Sequence, residues 1–215
     1  MATALVLRNA VVQIQTALAT AKTITGISKA SEAVVTATHD YSVGDYILLY
    51  GITGMTQMNN RVVRVKSVSP TVSFICEGVD STDFTTWASG GSAQKITFGA
   101  SFDNITQLDL PDSSPDEIDV TSIHDDERQI VFGHASAQKG TLSLIANPLS
   151  TAVVEVQTAD AAQERRAFLV TLSSGQKALF NAYCSGGAGF SGGVGQAGTG
   201  QISLTLRNKA QWFSS

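Results

Sequence analysis

Short alternations of apolar and polar residues dominate this chain, which is the pattern of β-strands that bury one face. Residues 140–146 read G-T-L-S-L-I-A, so the two leucines point to one side of the strand and the hydroxyl residues to the other. Residues 96–110 repeat this pattern, with Phe98 and Phe102 on one face. Residues 5–15 predict a further strand near the N-terminus.

One segment follows helical spacing instead. Its apolar residues recur three or four positions apart between residues 149 and 159. Asn147 is a typical capping residue, and Pro148 suits the first helical position. We therefore predict a single substantial helix that ends near Gln163.

The segment after the helix predicts a β-hairpin. Residues 167–172 and 176–183 are strand-like, and Gly175 between them allows the positive φ of a tight turn. In residues 185–200, eight of the sixteen residues are glycine, a composition that cannot bury a core. We expect a loop here, either a plain linker or a segment that becomes ordered against a neighbouring molecule.

Residues 43–96 hold closely spaced β-prone runs separated by Gly, Asn, Pro and Asp, which indicates a small barrel or sandwich of its own. The predicted fold is therefore mainly β. It has a β-sandwich or barrel core with one flanking α-helix, plus an inserted small β-barrel module. We assign residues 1–21 and 96–215 to the core domain and residues 22–95 to the inserted module.

Composition narrows the class of protein. Charged residues make up only 15% of the 215 residues against 43% hydrophobic, which indicates that partners cover part of the surface. The net charge of -4 argues against a protein whose main task is to grip phosphate groups. The N-terminus lacks the basic region of a signal peptide, and no run reaches the ~18 apolar residues of a membrane helix, so the cytoplasm is the expected compartment of synthesis.

The sequence predicts no catalytic, metal or cofactor site. Cys76 and Cys184 lie far apart and outside any ligand-spaced motif, so we expect reduced, semi-buried thiols. His39, His124 and His134 lack the i, i+4 pairing of a metal site and are interpreted as solvated loop residues. No serine lies in a G-x-S-x-G motif, and no Gly-Lys-Ser/Thr follows the glycine-rich segment. We therefore expect no enzyme.

Several short motifs occur in a distinctive order. They are I-D-V-T at residues 118–121, a charged loop at 125–128, Gly133, G-T-L-S-L at 140–144, and Asn147-Pro148. In this order they resemble the major tail tube protein of long-tailed, siphovirus-like bacteriophages. The resemblance implies a structural subunit that self-assembles into stacked hexameric rings, which form the tube that conducts DNA from the capsid to the host.

The resemblance also implies partners and a location. The expected partners are other copies of the chain, the tape measure, tail terminator and distal tail proteins, and double-stranded DNA that passes without specific binding. The expected location is the virion tail, after assembly in the cytoplasm of the host bacterium.

Two surfaces of such a tube can be assigned to residues. The alternating strands and the charged loop predict a subunit interface at Phe98, Phe102, Leu142, Leu144, Asp125, Asp126 and Arg128. Eight of the 18 acidic residues lie within residues 109–127. Among them Asp109 ends a predicted strand and is the lumen-facing candidate, because carboxylates repel the DNA backbone.

The module carries a second resemblance. V-G-D at residues 43–45 and the terminal G-G at 90–91 resemble, in β-fold only, the first half-domain of ubiquitin-activating enzymes. We expect this module to decorate the tube or to contact the host surface. Two alternatives stay open. One is a tube subunit of a contractile tail or related secretion system, and the other is a carbohydrate-binding or capsid-decorating β-protein with Trp87, Tyr46 and Tyr50 as a stacking platform.

Overall fold

The structure is a computed structural model that describes residues 7–112, 115–124, 126–135 and 137–214. The fold is mainly β, as predicted, and the described residues form one α-helix. The strands of the first half are β1 (Val11–Leu18), β2 (Lys22–Ile27), β3 (Val34–Ala37), β4 (Tyr46–Thr53), β5 (Arg61–Ser69), β6 (Ser73–Cys76) and β7 (Ser89–Ser101). The remaining elements are β8 (Ile105–Asp109), β9 (Pro115–Asp119), β10 (Ile130–Ala135), β11 (Lys139–Ile145), α1 (Thr151–Ala161), β12 (Arg165–Thr171), β13 (Lys177–Gly186), β14 (Thr199–Leu206) and β15 (Gln211–Phe213). No helix among the described residues is long and apolar enough to cross a membrane.

Strand β7 belongs to both halves of the fold. Its first part pairs with β4 and its second part pairs with β1, in both cases antiparallel. With 13 residues it is longer than most strands in globular proteins and spans about 40 Å at roughly 3.3 Å per residue. One continuous strand therefore carries hydrogen bonds from one half of the molecule to the other.

The first half is a closed six-stranded barrel. Its strand order is β2-β3-β6-β5-β4-β7, and the barrel closes because β2 also pairs with β7. The interior is filled by large, fully buried side chains, which include Ile47, Leu49, Met55, Met58 and Phe74. Closure leaves none of these strands with an unpaired edge. The barrel lies where the module was predicted, and the exact boundary at residues 22 and 95 stays a prediction.

The second half continues the same sheet in the order β7-β1-β12-β13-β14-β11-β8. The predicted hairpin is confirmed as β12 and β13, with Gly175 at φ 86° in its turn. The rings of Phe102, Phe168 and Phe180 stack in the core at centroid separations of 6.2 and 5.3 Å. Among the described residues strand β8 pairs only with β11, so its outer edge ends the described sheet.

Helix α1 packs against this core, and its start differs from the prediction. Ala152, Val153, Val156 and Ala159 are buried, as the helical spacing required. The N-cap is Ser150 and not Asn147, because the Ser150 hydroxyl accepts the hydrogen bond of the Val153 N–H. Pro148 therefore precedes the helix.

Strand β1 also begins later than predicted. Asn9 has φ 59°, a left-handed conformation that interrupts an extended strand, and regular pairing starts at Val11. Residues 5 and 6 of the predicted strand lie outside the described part of the chain.

A third apolar cluster joins the two halves; we call it the junction cluster. Its buried members are Val62, Ile96, Ala167, Leu169, Leu179 and Phe213. The guanidinium of Arg64, on β5, lies 5.6 Å from the centre of the Phe213 ring, and Gln211 donates a hydrogen bond to the Glu77 carbonyl. The C-terminal strand thus attaches the barrel to the core.

Phe213→Ala should test the junction cluster. Removing this buried ring, which is only 4% exposed, should lower the free energy of unfolding by about 3–5 kcal/mol, since it leaves a cavity between the two halves. The measurement is urea unfolding followed by tryptophan fluorescence. The control Val72→Ala, at an exposed turn, should cost less than about 0.5 kcal/mol. Equal effects of the two variants would contradict a structural role for the cluster.

Candidate assembly surfaces

Strands β9 and β10 form a two-stranded sheet separate from the main one. We call residues 115–135 the hairpin arm. Within the described residues its strands pair only with each other, and it leaves the core between β8 and β11. A lone two-stranded hairpin is at best marginally stable in water. The arm therefore has the character of a segment that gains stability from a further partner.

The arm exposes apolar side chains on both faces. Its exposed members are Ile118, Val120, Ile123, Ile130, Val131 and Phe132. Ile118 lies opposite Val131 on one face, while Phe132 lies opposite Glu117 on the other. Phe132 is 66% exposed and Ile123 is 96% exposed. So many large apolar groups on one small element mark a contact surface.

A network of polar contacts shapes the turn of the arm. The Asp119 carboxylate accepts hydrogen bonds from the backbone N–H and the hydroxyl of Thr121, and it pairs with Arg128 at 3.1 Å. The Gln129 N–H donates to the Thr121 hydroxyl at 3.0 Å. The hydroxyl of Thr121 is the main cause of a lowered pKa at Asp119, with further contributions from the Thr121 N–H and Arg128.

The arm concentrates the chain's excess of negative over positive charge. Six of the 18 acidic residues but only one of the 14 basic residues lie within residues 115–135. The segment therefore has a net charge of -5, while the rest of the chain has a net charge of +1. Two arms brought together would repel each other.

The free edge of β8 is bordered by a second apolar patch. Leu7 and Trp212 are about half exposed there. Together with Leu108 and Leu110 they border a shallow cavity of about 150 Å³. A sheet edge offers unpaired N–H and C=O groups to a neighbouring strand, and the patch adds apolar area beside it.

The outward face of β8, β11 and β14 is polar and almost uncharged. Its side chains are mainly hydroxyls and amides: Thr106, Gln107, Thr141, Ser143, Gln201, Ser203 and Thr205. Asp109 is exposed at the end of β8, opposite Thr141, and Lys139 is exposed at the start of β11. This face can hold water, but offers little positive charge to phosphate groups.

Residues 187–198 connect β13 to β14 and form the glycine loop. The loop is attached to the core at its base, where the Ala146 N–H donates to the Gly198 carbonyl at 2.8 Å. Its tip is exposed and includes the apolar side chains of Phe190 and Val194. Leu149, just before α1, is exposed by 88%. The tip of the glycine loop is the third apolar patch on the surface.

The interface residues predicted from the sequence fall into two groups. The side chains of Phe102, Leu142 and Leu144 are buried in the subunit's own core, and Phe98 is partly buried against Tyr46 on the junction cluster. Any effect of these four on assembly would act through the shape of β7 and β11.

The charged candidates lie on the surface. Asp126 and Arg128 are exposed on the hairpin arm, and Asp125 lies outside the described residues. Sequence reasoning missed the exposed apolar residues of the arm. The signal was the run I-V-F at residues 130–132, which has no matching buried strand beside it.

The two cysteines and three histidines lie in different surroundings. Cys76 and Cys184 are free and buried, and burial raises their pKa values to about 12 and about 11. His39 was wrongly interpreted as solvated, because it is buried, with its ring stacked 5.0 Å from Tyr41. His124 is exposed, and the His134 side chain lies outside the described part. Among the described residues no three His, Cys, Asp or Glu side chains meet as a potential metal site.

The three aromatic residues proposed as a stacking platform do not share a surface. Trp87 packs on the interior cluster of the barrel, whereas Tyr46 packs on the junction cluster. Tyr50 lies four residues after Tyr46 on β4 and is half-buried. A flat sugar-binding platform is therefore not formed by this set.

The Asp119 network predicts a pH-dependent turn. The pKa of Asp119 is lowered in the folded chain, so its contribution to stability is complete above its ordinary value of about 3.9 and is lost as the pH falls through the folded value. NMR signals of the Thr121 and Gln129 amides should therefore shift below about pH 4. Asp119→Asn should remove this shift and Asp126→Asn should retain it. An unchanged titration in Asp119→Asn would contradict the network.

We compared the chain with models of known protein families and with curated proteins. The family model of the phage tail tube protein (TTP) matches residues 53–213, about three quarters of the chain. The match begins at the end of β4, inside the barrel, and continues to the last strand. A comparison with curated proteins gives no match. The chain therefore belongs to the phage tail tube protein family and is a structural component of the virion tail.

Proposed function

We propose that this chain is the repeating subunit of a tube built from stacked hexameric rings, through which DNA passes from the capsid to the host. Assembly takes place in the bacterial cytoplasm, and the tape measure, tail terminator and distal tail proteins contact the tube or its ends. The observation that carries the proposal is the hairpin arm, which exposes apolar side chains on both faces and pairs with no other described strand.

The hairpin arm has a clear thermodynamic reason to dock. Burying a side chain such as Phe132 in a neighbouring subunit contributes roughly 1.5–3 kcal/mol. The contribution is repeated around each ring and along the tube, so many weak contacts hold the polymer together. The Asp119 network shapes the turn before docking and so reduces the entropy lost on association.

Ring closure uses a different surface in this proposal. The free edge of β8, with Leu7 and Trp212 beside it, faces the next subunit within a ring. Pairing at such an edge satisfies N–H and C=O groups that otherwise invite aggregation. The closed barrel has no comparable edge, which directs association to the core half of the molecule.

The outward face of β8, β11 and β14 lines the bore. Hydroxyl and amide groups keep this wall hydrated, and Asp109 repels phosphate groups. Lys139 moderates that repulsion without forming a basic track. DNA then moves along a wall to which it does not adhere.

The barrel lies on the outside of the tube in this proposal. Its resemblance to the first half-domain of ubiquitin-activating enzymes, inferred from sequence motifs, stays a prediction that concerns the β-fold alone and implies no ubiquitin chemistry. Because the family match includes residues 53–95, we treat the barrel as part of the tube subunit, held by the junction cluster. From this position it can decorate the tube or contact the host surface.

Phe132→Ser combined with Val131→Ser tests the arm. Both side chains are exposed, so the fold of the monomer should remain unchanged while tube assembly weakens by about tenfold or more. Tube yield can be measured by sedimentation and electron microscopy of the purified protein. Val43→Ser, a matched control on the barrel at 63% exposure, should assemble normally. Normal tubes from the arm variant would contradict the proposal.

Asp109→Lys tests the bore. Purified tubes should still form, but they should retain short double-stranded DNA fragments during sedimentation at low salt, since the new cations attract phosphate groups. Retention should disappear above about 0.1 M salt, where the screening length falls to about 10 Å. Asp83→Lys makes the same charge change at an exposed position on the barrel and serves as the control. Equal retention by the two variants would show that Asp109 does not face the bore.

A further inference from the structure

Two apolar surfaces lie at opposite ends of one strand. The hairpin arm joins β11 at Lys139, and the glycine loop is hydrogen-bonded to Ala146, just beyond the other end of β11. The strand has seven residues, which corresponds to about 20 Å at roughly 3.3 Å per residue. The two neighbouring strands of β11 show the same arrangement. Asp109, the last residue of β8, pairs near the arm end of β11, and Thr199, the first residue of β14, pairs near its loop end. We call the end of the subunit that carries the hairpin arm the arm pole, and the end that carries the glycine loop the loop pole.

The loop pole has the properties of an acceptor surface. Residues 185–200 contain no charged side chain. Phe190 is 76% exposed and Val194 is fully exposed, so they present apolar area. At Gly189 and Gly195 the space that a Cβ would occupy is open, which lets another backbone approach closely. The hydrogen bond to Ala146 holds the base of the loop on the core.

Charge disfavours contact between two arms. The arm has a net charge of -5, so contact between two arms would place like charges against each other at considerable electrostatic cost. Contact with the uncharged loop avoids that repulsion and still buries apolar side chains on both partners. Unlike poles therefore associate in preference to like poles.

We infer that the loop pole, formed by the glycine loop, is the docking site for the hairpin arm of a second copy of this chain in the adjacent ring. The inference rests on the proposed tube and names the two surfaces through which rings stack. Such a contact is heterologous, since it joins different surfaces of identical subunits. Each added ring presents a free pole of the same kind, so the assembly can continue indefinitely in one direction.

Cross-linking with a short bis-maleimide tests this pairing directly. Ile123, on the arm, and Val194, on the loop, are exposed, whereas the native Cys76 and Cys184 are buried and should react little. The variants are I123C, V194C and the double variant carrying both substitutions. Each is assembled into tubes, treated with the reagent and separated on a denaturing gel, with the unmodified chain as the background control.

Head-to-tail stacking predicts a distinctive pattern. The double variant should give a ladder of covalent trimers and longer species, and a mixture of I123C with V194C should give dimers whose linked peptides join the two positions. Either single variant alone should stay close to background. Efficient dimers of I123C alone would mean that arm meets arm and would overturn the inference.

A charge pair provides a second readout. V194E should reduce tube yield severalfold at low salt, because it places a carboxylate against the acidic arm, whereas V194K should assemble at least as well as the unmodified chain. Normal tubes without the cross-linked ladder would overturn the docking site but leave the proposed tube intact. If the unmodified chain forms neither rings nor tubes, the proposed function itself fails, and the docking site with it.

Discussion

Strand β7 is the constraint on which the rest of the molecule depends. It closes the barrel with β4 and β2 at one end and opens the core sheet with β1 at the other. A single extended strand couples the two halves, because it hydrogen-bonds to strands of both. The junction cluster adds buried apolar contacts between the same two halves. The barrel is therefore attached to the core by both backbone pairing and side-chain packing.

The position of the unpaired strand edge follows from the closure of the barrel. Closure of the barrel pairs both edges of each of its strands. Among the described residues the open edge of the main sheet therefore lies on the core half, at β8. The β8 edge has an unpaired side among the described residues, and the hairpin arm and the loop pole expose apolar area. A chain with few charges and several such surfaces is suited to association with other molecules. Membership of the tail tube family gives this physical description a biological setting.

Acidic residues have separate tasks in this design. In the proposed stacking, those on the arm disfavour contact between like poles, and Asp119 in addition orders the turn through Thr121 and Arg128. Asp109 stands apart at the end of β8, on a face otherwise covered by hydroxyl and amide groups. One cluster of carboxylates in the sequence therefore separates, in three dimensions, into a group on the hairpin arm and a single residue at the end of β8.

The sequence by itself determined the elements whose signals are local. Alternation at residues 140–146 marked β11, helical spacing marked α1, and Gly175 marked the hairpin turn, because side-chain direction and φ depend on neighbouring residues. It did not reveal that the side chains of Leu142 and Leu144 face the subunit's own core, or that His39 is buried. Only the tertiary structure decided which apolar residues are buried in the core and which are exposed, as those of the hairpin arm are. Burial depends on contacts between segments distant in the chain, and local patterns carry no record of those contacts.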